Sequence, residues 1–214
     1  MALFDEKITK QLEGILDQMQ QTVQLVFFSQ EIECQHCRDA HQFVKEIASL
    51  SDKLSLQALN LIIDKDKAAQ YKVDKVPAIL LLDAAGKDTG IRFFGIPGGY
   101  EINSFLGAIL AVSGRKEQLP KPVADRIARI NKPVHIQVFV TPGCPYCPAA
   151  VVTAHRLALE NEQIQADMVE SNSFVYLTVK YQVSGVPKNI INEKHELTGA
   201  QPITAFLDVI EKLP

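Results

Sequence analysis

The sequence has no excess of positive charge: 22 Lys and Arg stand against 25 Asp and Glu over 214 residues, a formal net charge of -3. That balance offers no basic field for nucleic acid and no polybasic segment for an anionic membrane, so neither is expected as a partner. Long apolar runs are missing too. The longest, Pro77 to Leu82, is strand-sized, against the roughly 20 residues a membrane helix requires. The opening Met1-Ala2-Leu3-Phe4-Asp5-Glu6-Lys7 lacks the basic region and unbroken apolar stretch of an export signal, so a cytoplasmic protein is expected. Low-complexity tracts are absent. Cysteine is scarce, with four residues and none outside two pairs. What is present, 47% hydrophobic and 22% charged residues, describes a globular chain able to bury a core.

The cysteines form two Cys-x-x-Cys pairs, Cys34/Cys37 and Cys144/Cys147. In a reducing compartment such pairs are more often catalytic or metal-binding than structural. They also mark a repeat. A spacing of 110 residues relates Cys34 to Cys144, Cys37 to Cys147, Tyr71 to Tyr181, Val73 to Val183, Val76 to Val186 and Pro77 to Pro187. Two copies indicate a duplicated domain rather than a solenoid.

Periodicity gives each half the same alternation of strands and helices, an α/β fold class. In the first half, Ile8 to Met19 has helical spacing and Leu25 to Phe28 reads as a buried strand. Ala40, Phe43, Val44, Ile47 and Leu50 then line one face of a helix that Cys34 is expected to open. Strands follow at Leu54 to Ile63, Ala78 to Leu82 and Ile91 to Phe94, with helices at Lys65 to Tyr71 and Glu101 to Val112. In the second half, a helix carries Val123, Ile127 and Ile130, a strand runs from His135 to Val140, and Cys144 is expected to open a helix bearing Ala150, Ala154, Leu157 and Ala158. Strands near Ile164 to Val169, Lys188 to Ile191 and His195 to Leu197, and a helix from Ile203 to Leu213, complete it. The polar stretch Ser113 to Pro122 is the natural boundary, which predicts units at 1–114 and 120–214.

Dithiol exchange needs one accessible, ionisable thiol and a second close by to resolve the mixed disulfide. A helix N-terminus favours the thiolate, so Cys34 and Cys144 are expected to be nucleophiles, with Cys37 and Cys147 resolving. Gln35 and His36 in the first pair, and Pro145 and Tyr146 in the second, are expected to tune the two potentials apart; Pro145 suits a first helical position. Val76-Pro77 and Val186-Pro187 precede apolar runs, an unusual place for a residue that donates no sheet hydrogen bond. A start on an edge strand, with a cis bond, would account for it and leave backbone for a substrate peptide. Tyr71 and Tyr181 are expected to pack, and His41, His135, His155 and His195 to be structural or surface residues. Glu170 is expected to be a solvated carboxylate at a strand end, the alternative being a buried proton acceptor of the second unit.

Cys-x-x-Cys at a strand-to-helix junction, followed some 40 residues on by Val-Pro, resembles the thioredoxin and glutaredoxin superfamily, and Cys144-Pro-Tyr-Cys147 is similar to the glutaredoxin motif. The whole chain resembles the two-unit protein disulfide oxidoreductases, through Phe139-Val-Thr-Pro-Gly-Cys-Pro-Tyr-Cys-Pro148, Asp167-Met-Val-Glu170 and Phe94-Gly-Ile-Pro-Gly-Gly-Tyr-Glu101. This resemblance implies two tandem thioredoxin folds, each a mixed sheet flanked by helices, with cis prolines at Pro77 and Pro187. It also implies exchange with protein disulfides, redox-active disulfides with no bound cofactor, and electrons from a thioredoxin-reductase-like flavoprotein. A more distant resemblance, to the N-terminal portion of the flavoprotein component of alkyl hydroperoxide reductase, implies electron transfer to a peroxiredoxin. The buried acid that thioredoxins carry on the strand before the motif has no counterpart here, since Leu25 to Phe28 and Ile136 to Val140 supply only apolar residues and Gln137. The alternative outside redox chemistry is a zinc module using all four cysteines, disfavoured by the 106 residues between the pairs.

Overall fold

The computed structural model describes residues 3–213; Met1, Ala2 and Pro214, at the ends of the two expected units, lie outside the described residues. The chain groups into two compact units. One comprises Met1–Asp88, Phe93–Ile96 and Ile109–Lys116, the other Thr89–Arg92, Pro97–Ala108 and Glu117–Pro214.

The first unit opens with α1 (Glu6–Leu16), whose start is fixed by the Asp5 side chain accepting a 2.8 Å hydrogen bond from the Ile8 amide. Leu12 and Leu16 turn its apolar stripe inward. The strands β1 (Val23–Ser29), β2 (Leu54–Asn60) and β3 (Ala78–Leu82) lie in the order β2-β1-β3, followed by β4 (Asp88–Phe94), of which Thr89–Arg92 group with the second unit. β1 is the hub: it runs parallel to β2, with Val23 opposite Leu54, and antiparallel to β3, with Val26 opposite Leu80. Its run Leu25-Val26-Phe27-Phe28 is fully buried, which explains why apolar residues are continuous there rather than alternating. Helix α2 (Cys37–Ala48) covers β1 and β2 with Ala40, Phe43, Val44 and Ile47, one helical face. A short helix α3 (Lys65–Gln70) leads to β3; the 3₁₀ turn at Gly99–Glu101 and the start of α4 (Ile102–Val112), through Ala108, group with the second unit.

The second unit repeats the plan. After α5 (Lys121–Ala128), the hub strand β5 (Val134–Val140) runs parallel to β6 (Ile164–Glu170) and antiparallel to β7 (Lys188–Ile191), which pairs with β8 (His195–Thr198) in the order β6-β5-β7-β8. Helix α6 (Cys147–Glu160) packs on β5 and β6, α7 (Val175–Lys180) precedes β7, and α8 (Ile203–Ile210) closes the unit. His155 on α6 is fully buried, its Nε2 3.2 Å from the Arg92 carbonyl oxygen, and burial pushes the imidazole down to about 4. It is a neutral core histidine at ordinary pH. Mixed parallel and antiparallel pairing with flanking helices is present around each hub strand, as expected. Most strand boundaries agree with the periodicity, but α1 stops at Leu16, ahead of Met19, and β2 stops at Asn60.

Among the described residues, no helix is long and apolar enough to cross a membrane.

Candidate redox site

In each unit the loop after the hub strand delivers a cysteine pair to the start of a helix. Cys34 and Cys37 form one disulfide and Cys144 and Cys147 the other, with Cα atoms 5.4 and 5.5 Å apart. Each second cysteine is the first helical residue, and its amide donates back to the first cysteine's carbonyl, at 3.5 Å in the first unit and 3.4 Å in the second. This corrects the expectation that Cys34 and Cys144 open their helices. They precede the helix by one turn, because the two intervening residues form that turn instead of continuing the helical hydrogen bonding. Pro145 therefore lies ahead of the helix, and it is Pro148 that occupies its first turn, where a missing N–H leaves no bond unmade. His36 and Tyr146 occupy the N-cap positions without capping through their side chains.

Burial ranks the sulfurs within each pair. Cys34 is partly exposed and Cys37 is 6% exposed; Cys144 is 8% exposed and Cys147 fully buried. The first cysteine is thus the more accessible in both units. Tyr146, between the second pair, is 71% exposed.

Both Val76-Pro77 and Val186-Pro187 are cis, as expected. They do not start edge strands: β3 lies between β1 and β4, and β7 between β5 and β8. Each proline sits one residue ahead of its strand, so its missing N–H falls outside the ladder, while its carbonyl accepts from Gly95 in the first unit (2.9 Å) and Gly199 in the second (2.8 Å). Cys144 Sγ lies 3.7 Å from the Val186 carbonyl oxygen, so the second pair and its cis-proline segment are in direct contact. In the disulfide that is a close approach; in the dithiol an S–H there is within reach to donate.

The tyrosines pack, as expected: Tyr71 lies edge-on to Phe28 at 6.3 Å, and Tyr181 lies against Phe139 at 5.5 Å. Glu170 is not solvated. It is 6% exposed because its carboxylate caps the turn after β6, accepting from the amides of Asn172 (2.9 Å) and Ser173 (2.8 Å). His135 is half-buried and bonds through Nε2 to the fully buried Asp167 at 2.6 Å.

One acid was not singled out by the sequence pattern. Glu101, in the 3₁₀ turn, is 1% exposed; Ser104 Oγ donates to its Oε2, and its Oε1 is buried with no hydrogen-bond partner among the described residues. Burial drives its carboxyl up to about 7, with Ser104 opposing. The turn that carries it packs against α6, and the neighbouring Tyr100 amide donates to the Pro142 carbonyl (3.1 Å), two residues before Cys144. Gly99 makes that approach possible: its φ is +59°, and a Cβ there would stand 2.2 Å from the Pro142 oxygen. Gly99→Ala is accordingly expected to cost at least about 2 kcal/mol of stability, from left-handed backbone plus the clash, and to slow reaction at Cys144. Urea unfolding of the full chain reads the first effect; a loss within the noise of the method would show that the turn relaxes at no cost.

The four sulfurs are joined within their pairs, and among the described residues no group of three or more His, Cys, Asp or Glu is arranged to hold a metal. Two hub-strand units, each with a Cys-x-x-Cys disulfide ahead of its first covering helix and a cis-proline before an inner strand, define a tandem thioredoxin-fold redox protein.

Comparison with known proteins agrees. Residues 134–212 match the thioredoxin domain family Thioredoxin_3. The NTD N/C domain of the alkyl hydroperoxide reductase AhpF from Enterococcus faecalis superposes with a TM-score of 0.90 at 30% identity, over 97% of this chain and 99% of that one. A protein disulfide oxidoreductase from Aeropyrum pernix K1 gives 0.89 at 29% identity, over 97% and 92%. The corresponding alkyl hydroperoxide reductase component of Staphylococcus aureus is 25% identical over 99% of this chain but 38% of its own length, and an NADH dehydrogenase of Bacillus subtilis 26% identical over 79% of this chain and 31% of its own. The chain thus spans about a third of the curated relatives it matches. The chain belongs to the tandem thioredoxin-fold disulfide oxidoreductase family.

Proposed function

We propose that this protein is a thiol-disulfide oxidoreductase that exchanges two electrons with protein disulfides at two sites, Cys34/Cys37 in the first repeat (1–114) and Cys144/Cys147 in the second (120–214). The observation that carries the reading is the repeated Cys-x-x-Cys disulfide at the start of a helix, its first cysteine less buried than its second, with a cis Val-Pro bond later in the same repeat. In the reductive direction, the Cys144 or Cys34 thiolate attacks a substrate disulfide, forming a mixed disulfide and releasing one substrate thiolate. Cys147 or Cys37 then attacks the enzyme sulfur, releasing the second substrate thiolate. The enzyme dithiol becomes a disulfide, the substrate gains two electrons, and the two protons follow the released thiolates. Val76-Pro77 and Val186-Pro187 hold the substrate backbone, and Gln35, His36, Pro145 and Tyr146 set the two potentials apart.

Glu101, in the 3₁₀ turn that packs on α6, is proposed as the proton acceptor for the resolving thiol: burial favours its neutral form and it ionises near neutrality. In a reducing cytoplasm, a thioredoxin-reductase-like flavoprotein regenerates the dithiols. A second reading, transfer of electrons from such a flavoprotein to a peroxiredoxin, is favoured by the match of nearly the whole chain to the staphylococcal alkyl hydroperoxide reductase component.

The test is the potential of each pair, measured by equilibrating the protein in defined thiol buffers, alkylating, and quantifying each cysteine peptide. Two reversible two-electron couples between roughly -270 and -180 mV are expected. If neither pair oxidises reversibly, the oxidoreductase reading fails. Reduction of many unrelated protein disulfides supports the broad reading, and turnover confined to a peroxiredoxin the second.

A further inference from the structure

The short helix before the cis-proline is where the two repeats part in surface chemistry. In the first unit α3 reads Lys65-Asp66-Lys67-Ala68-Ala69-Gln70 and buries only Ala68. In the second, at the same spacing of 110, α7 reads Val175-Tyr176-Leu177-Thr178-Val179-Lys180 and buries only Leu177. Val175 is 59% exposed, Tyr176 61% and Val179 71%. The fold does not require apolar side chains there, because the equivalent positions carry exposed Lys65, Asp66 and Ala69. Nor does helix propensity, since valine is a poorer helix former than the alanine and lysine of α3. Val179 neighbours both Val175, four residues back, and Tyr176, three back, so the three side chains adjoin on the helix surface.

That face is uncharged. No ionisable side chain lies from Ser171 to Thr178 except Tyr176, and the bordering charges are engaged within the unit. Glu170 caps the turn before α7, and Lys180 donates to Glu193 at 2.7 Å and to the Tyr181 hydroxyl at 2.8 Å. The segment is bonded at its start to the end of β5 and runs on at its other end to the cis-proline. The Ser171 amide donates to Val140 (2.9 Å), where the chain leaves β5 for Cys144, and the Val183 amide donates to Thr178 (2.9 Å), just before Val186, whose carbonyl meets Cys144.

We infer that Val175, Tyr176 and Val179 are the specificity-determining surface of the second site, which selects a protein disulfide presented within an uncharged, apolar surface. An apolar face without charges matches a partner of the same character, since a charged partner would lose hydration there without gaining a counter-charge. In the first unit the exposed apolar side chains lie elsewhere, at Ile32 beside Cys34 and at Ile62 and Ile63 ahead of α3, whose own exposed positions are polar or small, so the two pairs present different surfaces to a partner. This inference rests on the exchange function proposed above.

The test uses the full chain with Cys34→Ser and Cys37→Ser, so that only the second pair reports. Val175→Lys, Tyr176→Asp and Val179→Ala together install the residues of α3, and Tyr176→Asp alone is the smaller change. Reduction of insulin, with dithiothreitol regenerating the dithiol, is compared with single-turnover reduction by the pre-reduced protein of 5,5′-dithiobis(2-nitrobenzoate), a small disulfide that needs no docking face. The triple variant is expected to lose roughly tenfold or more in kcat/KM toward insulin, through KM, while the small disulfide reacts within about twofold of the unsubstituted rate. The insulin reaction of the unsubstituted face is expected to vary little with salt. Unchanged insulin kinetics overturn the inference, as does an equal loss toward both disulfides, which would mean a disturbed site. A change from dimer to monomer with insulin kinetics intact also overturns it and assigns the face to a second copy of the chain. If the unsubstituted protein reduces neither disulfide, the exchange function itself fails.

Discussion

Cys147→Ser, in a chain whose first pair is blocked by Cys34→Ser and Cys37→Ser, is expected to stop at a covalent complex with its substrate. Cys144→Ser in the same background is expected to form no complex and to lose at least roughly a thousandfold in exchange rate. The asymmetry comes from burial and position. Cys144 sits in the turn ahead of α6, beside the Val186 carbonyl, where an incoming disulfide can reach it. Cys147 is the first residue of α6 and fully buried, so it can attack only a sulfur already bonded to Cys144. Non-reducing mass spectrometry of each variant mixed with oxidised insulin reads the outcome. A trapped adduct on Cys147 of the Cys144→Ser protein would reverse the assignment. The same ranking holds in the first pair, where Cys34 is partly exposed and Cys37 is 6% exposed, so Cys34→Ser and Cys37→Ser should divide in the same way once the second pair is blocked.

The features legible in the sequence are those written in local pattern or in the repeat. The hub strands are continuous apolar runs because covering elements bury them, so Leu25 to Phe28 and Ile136 to Val140 declare themselves. The pairing of Cys34 with Cys37 and of Cys144 with Cys147, and the matching Val-Pro segments, follow from one spacing. The register of the helix starts was less legible. A helical apolar stripe from Ala40 onward does not say whether the first turn begins at Cys34 or Cys37, and the difference decides whether Pro145 or Pro148 lies in the helix. The short helix α7 left no bounded pattern of its own, since Val175-Tyr176-Leu177-Thr178-Val179 is β-branched and aromatic and has the composition of a strand. Its place is set by the turn that Glu170 caps and by Leu177 facing the core. Glu101 was legible only as the start of a helix, because the placement of its turn depends on a long-range approach, from Gly99 to Pro142, that no local period encodes.

Glu101→Gln is expected to change the second site more than any substitution outside the cysteines, and with a sign that burial fixes. The carboxyl titrates near 7 in the folded protein against 4.5 when exposed, so the native state binds the proton more tightly than the unfolded state. Its stabilising proton is fully bound in the native state below pH 4.5, and that contribution is lost as pH rises through about 7. Above that pH the fold carries a buried carboxylate, at a cost of about 3 kcal/mol. Glutamine keeps the shape and the contact with Ser104 but never ionises. Urea unfolding should therefore find the variant close to the parent near pH 5 and more stable than it at pH 8. The chemistry should move the other way. In the parent, resolution of the mixed disulfide at Cys144 should accelerate as Glu101 ionises near pH 7. In Glu101→Gln that rise should vanish and the rate at pH 8 should fall roughly a hundredfold, within the range for loss of a positioned proton acceptor. Attack at Cys34, read in a chain with the second pair blocked, should keep its profile. A variant that gains stability at pH 8 yet retains the parent's pH dependence at Cys144 would leave Glu101 a buried acid without a part in exchange, and a constant stability difference from pH 5 to 8 would show that it does not titrate there at all.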